Sequence, residues 1–133
     1  MKTWLPMLVL FIALSCTTIE PSESRRRMEI PQGAVTHVVV VWLKTPGNEG
    51  ARAQLIEASK RFEEIPGVLR VTAGRPLPST RPVVDSSFDV AVMILFRDRQ
   101  AMNDYEVHPL HAQAVEEILK PLAGRVLIYD AVD

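Results

Sequence analysis

The chain has 133 residues, of which 47% are hydrophobic and 23% are charged, and this length suits one globular domain rather than two. Fifteen Lys and Arg residues against sixteen Asp and Glu residues give a formal net charge of -1. The chain therefore lacks the basic excess with which proteins bind a phosphate backbone, and nucleic acid is not an expected partner. Its single cysteine, Cys16, excludes an intramolecular disulfide and a multi-cysteine metal site.

The first sixteen residues have the layout of a targeting signal for export. Lys2 is followed by an apolar run over residues 5–14, and Ser15 stands directly before Cys16. A membrane-spanning helix needs roughly 20 apolar residues, about twice the length of this run. The pattern therefore predicts a signal peptide over residues 1–15 rather than a transmembrane anchor.

The sequence Ala13-Leu14-Ser15-Cys16 resembles a bacterial lipobox, in which the cysteine is acylated and becomes the first residue of the mature protein. The resemblance implies a lipoprotein with its lipid on Cys16, and Thr17 resembles the sorting pattern of outer-membrane lipoproteins that face the periplasm. We therefore expect a location in the bacterial cell envelope, because two or three acyl chains anchor a protein durably. An ordinary signal peptide with a free Cys16 is the alternative.

Residues 16–33 follow, rich in Ser, Thr, Pro and charge and without apolar periodicity. This composition indicates a flexible tether between the lipidated cysteine and a folded domain over residues 34–133. Arg25, Arg26 and Arg27 lie among acidic residues, which favours solvated charges over a specific lipid site.

The folded domain begins with residues 35–43, a β-branched segment that is apolar on both alternating faces and therefore predicts a strand buried on both sides. Apolar residues at three- and four-residue spacing then predict an amphipathic helix that begins near Ala51 and ends before Pro66. Residues 68–75 predict a weaker strand, and a Pro- and Ser-rich loop over residues 76–86 follows it.

The second half of the domain repeats this order. Residues 88–96 predict another strand that is apolar on both faces. Asp98 is predicted to cap a short helix over residues 99–105, and Pro109 fits the first turn of a further helix that ends at Gly124. Residues 125–132 predict the last strand.

The resulting βαββαβ order is typical of the ferredoxin-like α+β fold, an antiparallel sheet with both helices on one face. The other face of the sheet would be bare, although the strands are apolar there as well. Bare apolar surface of that extent is rarely tolerated in a monomer, so we expect a homodimer in which two sheets pack back to back.

Four segments resemble the stress-responsive A/B barrel (Dabb) domain: residues 37–40 (HVVV), 64–68 (EIPGV), 105–111 (YEVHPLH) and 119–122 (LKPL). The resemblance covers about residues 34–132 and implies a dimeric α+β barrel. It implies no single activity, because the family includes plant polyketide cyclases as well as members of unassigned role.

The candidate site residues all fall in these shared segments: His37, Tyr105, His108 and His111. The resemblance to the plant polyketide cyclases implies that Tyr105 and His111 are catalytic, the histidine as a base and the phenol as a donor to an enolate. His37 matches a histidine of their first strand, and His37 and His108 are the candidate ligand-binding residues. Asp89 stands where some cyclase-type relatives carry a histidine, which argues against transfer of their substrate.

Each of these residues also has a purely structural interpretation, and both interpretations stay open. His108 before Pro109 is typical of a helix N-cap. His37 and His111 would be packing residues, and Tyr105 would cover the sheet. His37 lies on a different element from His108 and His111, and the spacing of those two across a helix start is more typical of a chance pair than of metal ligands. The chain also contains no Gly-rich phosphate loop, so neither a metal nor a cofactor is expected.

Two classes of function remain. The first is a membrane-anchored envelope module that binds a small apolar or carbonyl ligand or associates with itself. The second is a cofactor-free lyase or cyclase that acts on a carbonyl compound through Tyr105 and His111.

Overall fold

The computed structural model of the protein describes residues 29–133. Its main elements, in chain order, are β1 (Val35–Leu43), α1 (Glu49–Lys60), β2 (Val68–Gly74), β3 (Val90–Phe96), α2 (Arg99–Glu106), α3 (Pro109–Ala114) and β4 (Ala123–Val132). A short 3-10 helix (Arg61–Glu64) follows α1, and a π-helical turn (Val115–Leu119) and a last helical turn (Lys120–Leu122) follow α3. In this part of the chain, every helix is too short or too polar to cross a membrane. The predicted signal peptide, the lipidated cysteine and most of the tether lie outside the described residues.

The four strands form one antiparallel sheet in the order β2-β3-β1-β4. The two strands predicted to be apolar on both faces, β1 and β3, are its central pair, and the helices pack on one face. The predicted ferredoxin-like α+β fold is therefore confirmed.

The hydrophobic core lies between the sheet and the helices. Alternate residues of the central strands point into it, and Leu55 of α1 and Phe62 of the 3-10 helix pack on it from the helix side. The buried strand residues are Val35, Val41, Leu43, Val90, Val92, Ile94 and Phe96. These side chains belong to the inward faces that alternation along the two strands predicts.

The opposite face of the sheet is apolar and uncovered in the single chain. Val38 of β1 lies opposite Met93 on one side and Tyr129 on the other, and these two neighbours are 48% and 58% exposed. At the end of the same face, the Arg125 guanidinium lies 4.4 Å from the centre of the Trp42 ring. We call this surface the outer face.

A buried carboxylate connects β3 to the loop after β1. Asp89 accepts hydrogen bonds from the backbone N–H groups of Leu43 and Gly47, both at 2.9 Å, and from Arg52 Nη2 at 3.1 Å. Burial opposes ionisation of this carboxyl, but the donors outweigh burial and lower the pKa of Asp89. Regular strand geometry begins at Val90, two residues later than the sequence predicts.

The turn before β2 packs against the start of α2. Asp98 caps α2 by accepting a hydrogen bond of 2.8 Å from the Ala101 N–H, as predicted. Gly67 has a φ of +88° and a Cβ at this position would lie 2.5 Å from the Cβ of Ala101. The turn is therefore too close to α2 for any side chain at residue 67.

The helical region after Pro109 is less regular than predicted. It widens into the π-helical turn, where the Lys120 N–H donates to the Val115 carbonyl, and it ends at Leu122 rather than at Gly124. Proline has no N–H and its ring clashes with the carbonyl four residues earlier. Pro121 therefore explains why the wider turn lies directly before it.

Candidate functional site

A cavity of about 240 Å³ lies between the sheet and the helices. Aliphatic side chains of β1, β3, β4, α1 and the region after Pro109 form most of its wall. Its polar lining residues are His37, Ser59, Tyr105 and His111. Among the described residues, no Asp, Glu, Lys or Arg lines it. An apolar cavity with a few polar groups is the common form of a site for a small molecule.

Tyr105 is held at the end of α2 by aromatic packing. Its ring centre lies 5.0 Å from that of Phe96 and 5.4 Å from that of Phe62, and only 2% of the residue is exposed. Within residues 29–133 the Tyr105 hydroxyl has no hydrogen-bond partner. Every fully buried polar side-chain atom in this part of the chain has one, so the hydroxyl is not fully buried. The hydroxyl therefore borders the open cavity. Burial raises the pKa of Tyr105, so the phenol stays neutral and can donate a hydrogen bond.

His111 lies beside Tyr105 in the first turn of α3. Its Nδ1 is 3.1 Å from the carbonyl oxygen of Glu106. A carbonyl oxygen only accepts, so Nδ1 carries the proton and Nε2 has a free lone pair. Burial lowers the pKa of His111, against a smaller opposite effect of the Glu106 carbonyl. The neutral imidazole is therefore the dominant form at neutral pH, and it can act as a base.

His37 reaches the same cavity from β1. Its Nδ1 lies 2.6 Å from the Oδ1 of Asp130, which stands directly opposite His37 in the register of β1 and β4. Its ring centre is 6.1 Å from that of Tyr105. The carboxylate accepts the Nδ1 proton and so fixes the orientation of the ring. No local sequence pattern singles out Asp130, which the antiparallel pairing of the first and last strands places beside His37.

His108 does not belong to this group. It is the N-cap of α3, and its Nδ1 accepts a hydrogen bond of 3.2 Å from the Leu110 N–H. It is not among the residues that line the cavity. The structure thus brings together three of the four candidate residues and gives His108 the structural role that the sequence also allowed. Within residues 29–133, no three or more His, Cys, Asp and Glu residues are grouped so as to hold a metal ion.

The cavity opens toward the edge strand β4. Val126 and Ile128 line it, and both are also exposed at the surface. Asp130, the next residue of β4 on the same face, is 45% exposed at its side chain. A small molecule can therefore reach the polar end of the cavity from solvent along β4.

Comparisons with known proteins agree with this architecture. The solved structures to which the chain is similar include a Dabb family protein with a ferredoxin-like fold from Mesorhizobium loti, with 27% identity over 77% of this chain and 98% of that one and a TM-score of 0.63. A dimeric ferredoxin-like protein of unknown function from Thermobifida fusca has 17% identity, covers 80% and 96% of the two chains and has a TM-score of 0.65.

The hydroxynitrile lyase from Passiflora edulis is similar in fold, with 16% identity over 77% of this chain and 95% of that one and a TM-score of 0.66. No protein of curated function matches the chain. The family model described as the Stress responsive A/B Barrel Domain matches residues 35–133. The chain therefore belongs to the stress-responsive A/B barrel (Dabb) domain family.

Proposed function

We propose that this Dabb domain binds a small, uncharged carbonyl compound in its cavity. The observation that carries the proposal is the pairing of Tyr105 and His111, whose ring centres lie 4.2 Å apart. One side chain offers a free donor and the other a free acceptor, and both line the same apolar cavity.

The cavity wall defines the chemistry of such a ligand. The Tyr105 hydroxyl can donate to a carbonyl oxygen, and the aliphatic wall suits an apolar remainder. A carboxylate or phosphate would be buried without a lining cation, which is costly. The cavity therefore favours a neutral ketone or aldehyde over an organic acid.

Acetophenone and benzoate test this preference, because they are similar in size and differ in charge. In calorimetric titrations of the purified full-length protein, acetophenone should bind and benzoate should not. Tyr105→Phe should weaken acetophenone binding about three- to tenfold, the usual worth of one hydrogen bond. Tyr129→Phe is the matched control, because Tyr129 lies on the outer face. Equal binding of both compounds, or an unchanged affinity in Tyr105→Phe, would contradict the proposal.

A second candidate function is that of a cofactor-free lyase or cyclase, and the free Nε2 of His111 beside Tyr105 favours it. In the simplest step, Nε2 takes a proton from the carbon next to the carbonyl group, and the electron pair of that C–H bond forms an enolate. The Tyr105 O–H donates to the enolate oxygen and so stabilises it. Return of the proton from His111 to carbon restores the ketone. In a cyclisation the enolate carbon instead attacks a second carbonyl carbon of the ligand, the π electron pair of that C=O bond moves to its oxygen, and His111 gives its proton to this oxygen.

Hydrogen exchange tests this step directly. In deuterium oxide the enzyme should exchange the methyl hydrogens of acetophenone, and His111→Ala should slow this exchange by about 10²- to 10⁴-fold. His108→Asn is the matched control, because His108 is outside the cavity. Exchange that is no faster with protein than without it would leave ligand binding as the function.

We also propose that the domain is anchored to the bacterial cell envelope through lipid on Cys16 and that it associates with itself through the outer face. The lipobox-like sequence before Cys16 supports the first statement. Cys16→Ala should block fatty-acid labelling in cells and leave unprocessed precursor. A wild-type protein that is soluble, with an unmodified N-terminus, would contradict the anchor.

The exposed outer face and several similar structures described as dimeric support the proposed self-association.

A further inference from the structure

Ser59 is a polar residue on a wall that is otherwise apolar. The other residues that line the cavity from α1 and its 3-10 extension are Leu55, Ala58 and Phe62. Ser59 is only 6% exposed, and serine is a poorer helix former than alanine. Ser59 is therefore chemically distinct from its neighbours on this wall of the cavity.

The hydrogen bonding of Ser59 determines what it can offer. Its hydroxyl donates to the Leu55 carbonyl at 2.8 Å. A hydroxyl group has one proton and two lone pairs, so Ser59 Oγ can still accept. Among the described residues no donor points at this oxygen, which leaves its lone pairs to a ligand. The matching ligand group must be a hydrogen-bond donor.

Charge and distance restrict which hydrogen-bond donor a ligand can present to Ser59 Oγ. A protonated amine would enter a cavity that no described Asp or Glu lines, so a neutral hydroxyl is the better match. Phe62, three residues after Ser59, packs 5.4 Å from Tyr105 and 5.7 Å from His111 between ring centres. Ser59 therefore lies about one helical turn, roughly 4.5 Å along the helix axis, from Phe62, which packs against both rings of the Tyr105–His111 pair.

We infer that Ser59 makes the cavity selective for a carbonyl compound that also carries a hydroxyl group, with the carbonyl at Tyr105 and the hydroxyl at Ser59. This inference rests on the proposed function, because it takes the Tyr105 end of the cavity as the carbonyl site. The substrate class is a neutral hydroxyketone or hydroxyaldehyde.

Three ketones test the inference on the purified full-length protein: acetophenone, meta-hydroxyacetophenone and para-hydroxyacetophenone. The wild-type chain should bind at least one hydroxylated ketone about three- to tenfold more tightly than acetophenone. Ser59→Ala should lose this preference and keep its affinity for acetophenone within about twofold. Alanine is smaller and favours helix more than serine, so this variant should fold.

A second variant separates the position of the hydroxyl from its presence. Ser59→Ala combined with Ala53→Ser moves the hydroxyl to an exposed position of α1 that does not line the cavity, and the preference should stay lost. If wild type binds acetophenone without preferring a hydroxylated ketone, or if Ser59→Ala retains the preference, the inference is wrong and the proposed function stands. If wild type binds none of the three ketones, the proposed function fails and the inference fails with it.

Discussion

The ring centres of Tyr105 and His111 lie 4.2 Å apart, with their planes inclined by 37°. Residues separated by six positions lie on different sides of an unbroken helix. The break between α2 and α3 brings the two rings together, and the hydrogen bond from His111 Nδ1 to the Glu106 carbonyl holds the second helix against the end of the first. The break is therefore what creates the donor–acceptor pair.

Tyr105→Phe should change the free energy of unfolding by less than about 0.5 kcal/mol, because the hydroxyl has no partner among the described residues. Tyr105→Ala should cost about 3–5 kcal/mol, because it removes the packing against Phe62 and Phe96. Urea denaturation measures both values. A loss well above 1 kcal/mol in Tyr105→Phe would show that the hydroxyl supports the fold rather than a ligand.

The pH dependence of acetophenone exchange should report the state of His111. The neutral base is the active form, so the rate should be constant at high pH and fall as His111 gains a proton. Because burial lowers the pKa of His111 below its usual 6.5, the midpoint of this fall should lie on the acid side of 6.5. A rate profile measured with a midpoint above 7, or a rate that rises on acidification, would contradict the assignment of His111 as the base.

His108 should tolerate replacement by another capping residue. Asn and Ser side chains can also accept the Leu110 N–H, so His108→Asn should be almost silent in both thermal unfolding and ligand binding. His108→Ala leaves that N–H without its partner and should destabilise the protein by about 0.5–2 kcal/mol. If His108→Asn lost ligand affinity and kept its stability, His108 would belong to the site after all.

Asp89 should make the fold sensitive to acid. Its pKa is lowered in the folded state, so its contribution to stability is complete above the unfolded value of about 3.9 and is lost as the pH falls toward the lower folded value. Asp89→Asn should flatten this part of the stability profile measured by urea denaturation between pH 2 and 6. It should also cost about 1–3 kcal/mol near neutral pH, because the carboxylate that accepts from Leu43, Gly47 and Arg52 is lost, although Arg52 keeps its ion pair with Glu49. The same exchange at the exposed Asp104 is the control and should change stability little.

The outer face should be the surface through which two copies associate. Val38→Glu places a charge between Met93 and Tyr129 and should convert a dimer into a monomer in analytical ultracentrifugation. Val107→Glu is the matched control, because Val107 is 79% exposed and lies after α2, away from the sheet. A stable, soluble monomer of the wild-type protein at micromolar concentration would overturn this interpretation.

Local patterns in the sequence predict most of the fold. The near-continuous apolar runs of β1 and β3 identify strands whose two faces are both apolar, and these are the two central strands of the sheet. Asp98 is correctly predicted as a cap, and of the two interpretations left open for His108 the capping one agrees with the structure, since capping depends on residues within one turn. Pro121 explains the π-helical turn, but the apolar periodicity of this segment does not predict a change in helix type.

The parts of the site that the sequence analysis missed depend on contacts between distant segments. Asp130 meets His37 only because β4 pairs with β1 in one particular register. Ser59 becomes a site residue only because α1 lies over the cavity. Asp89 lies outside the site, but its role in the fold also depends on distant segments, because its backbone donors, Leu43 and Gly47, lie more than forty residues earlier.

Gly67 controls the position of Tyr105 without touching the cavity. It packs directly on Ala101, and Ala101 and Tyr105 are one turn apart on the same face of α2. A methyl group at residue 67 would displace the whole helix, and the phenol would move with it. In a mutational scan scored only by ligand affinity, Gly67 would therefore rank with the residues that touch the ligand. Measuring folding alongside affinity would show that its effect is transmitted through the position of a helix.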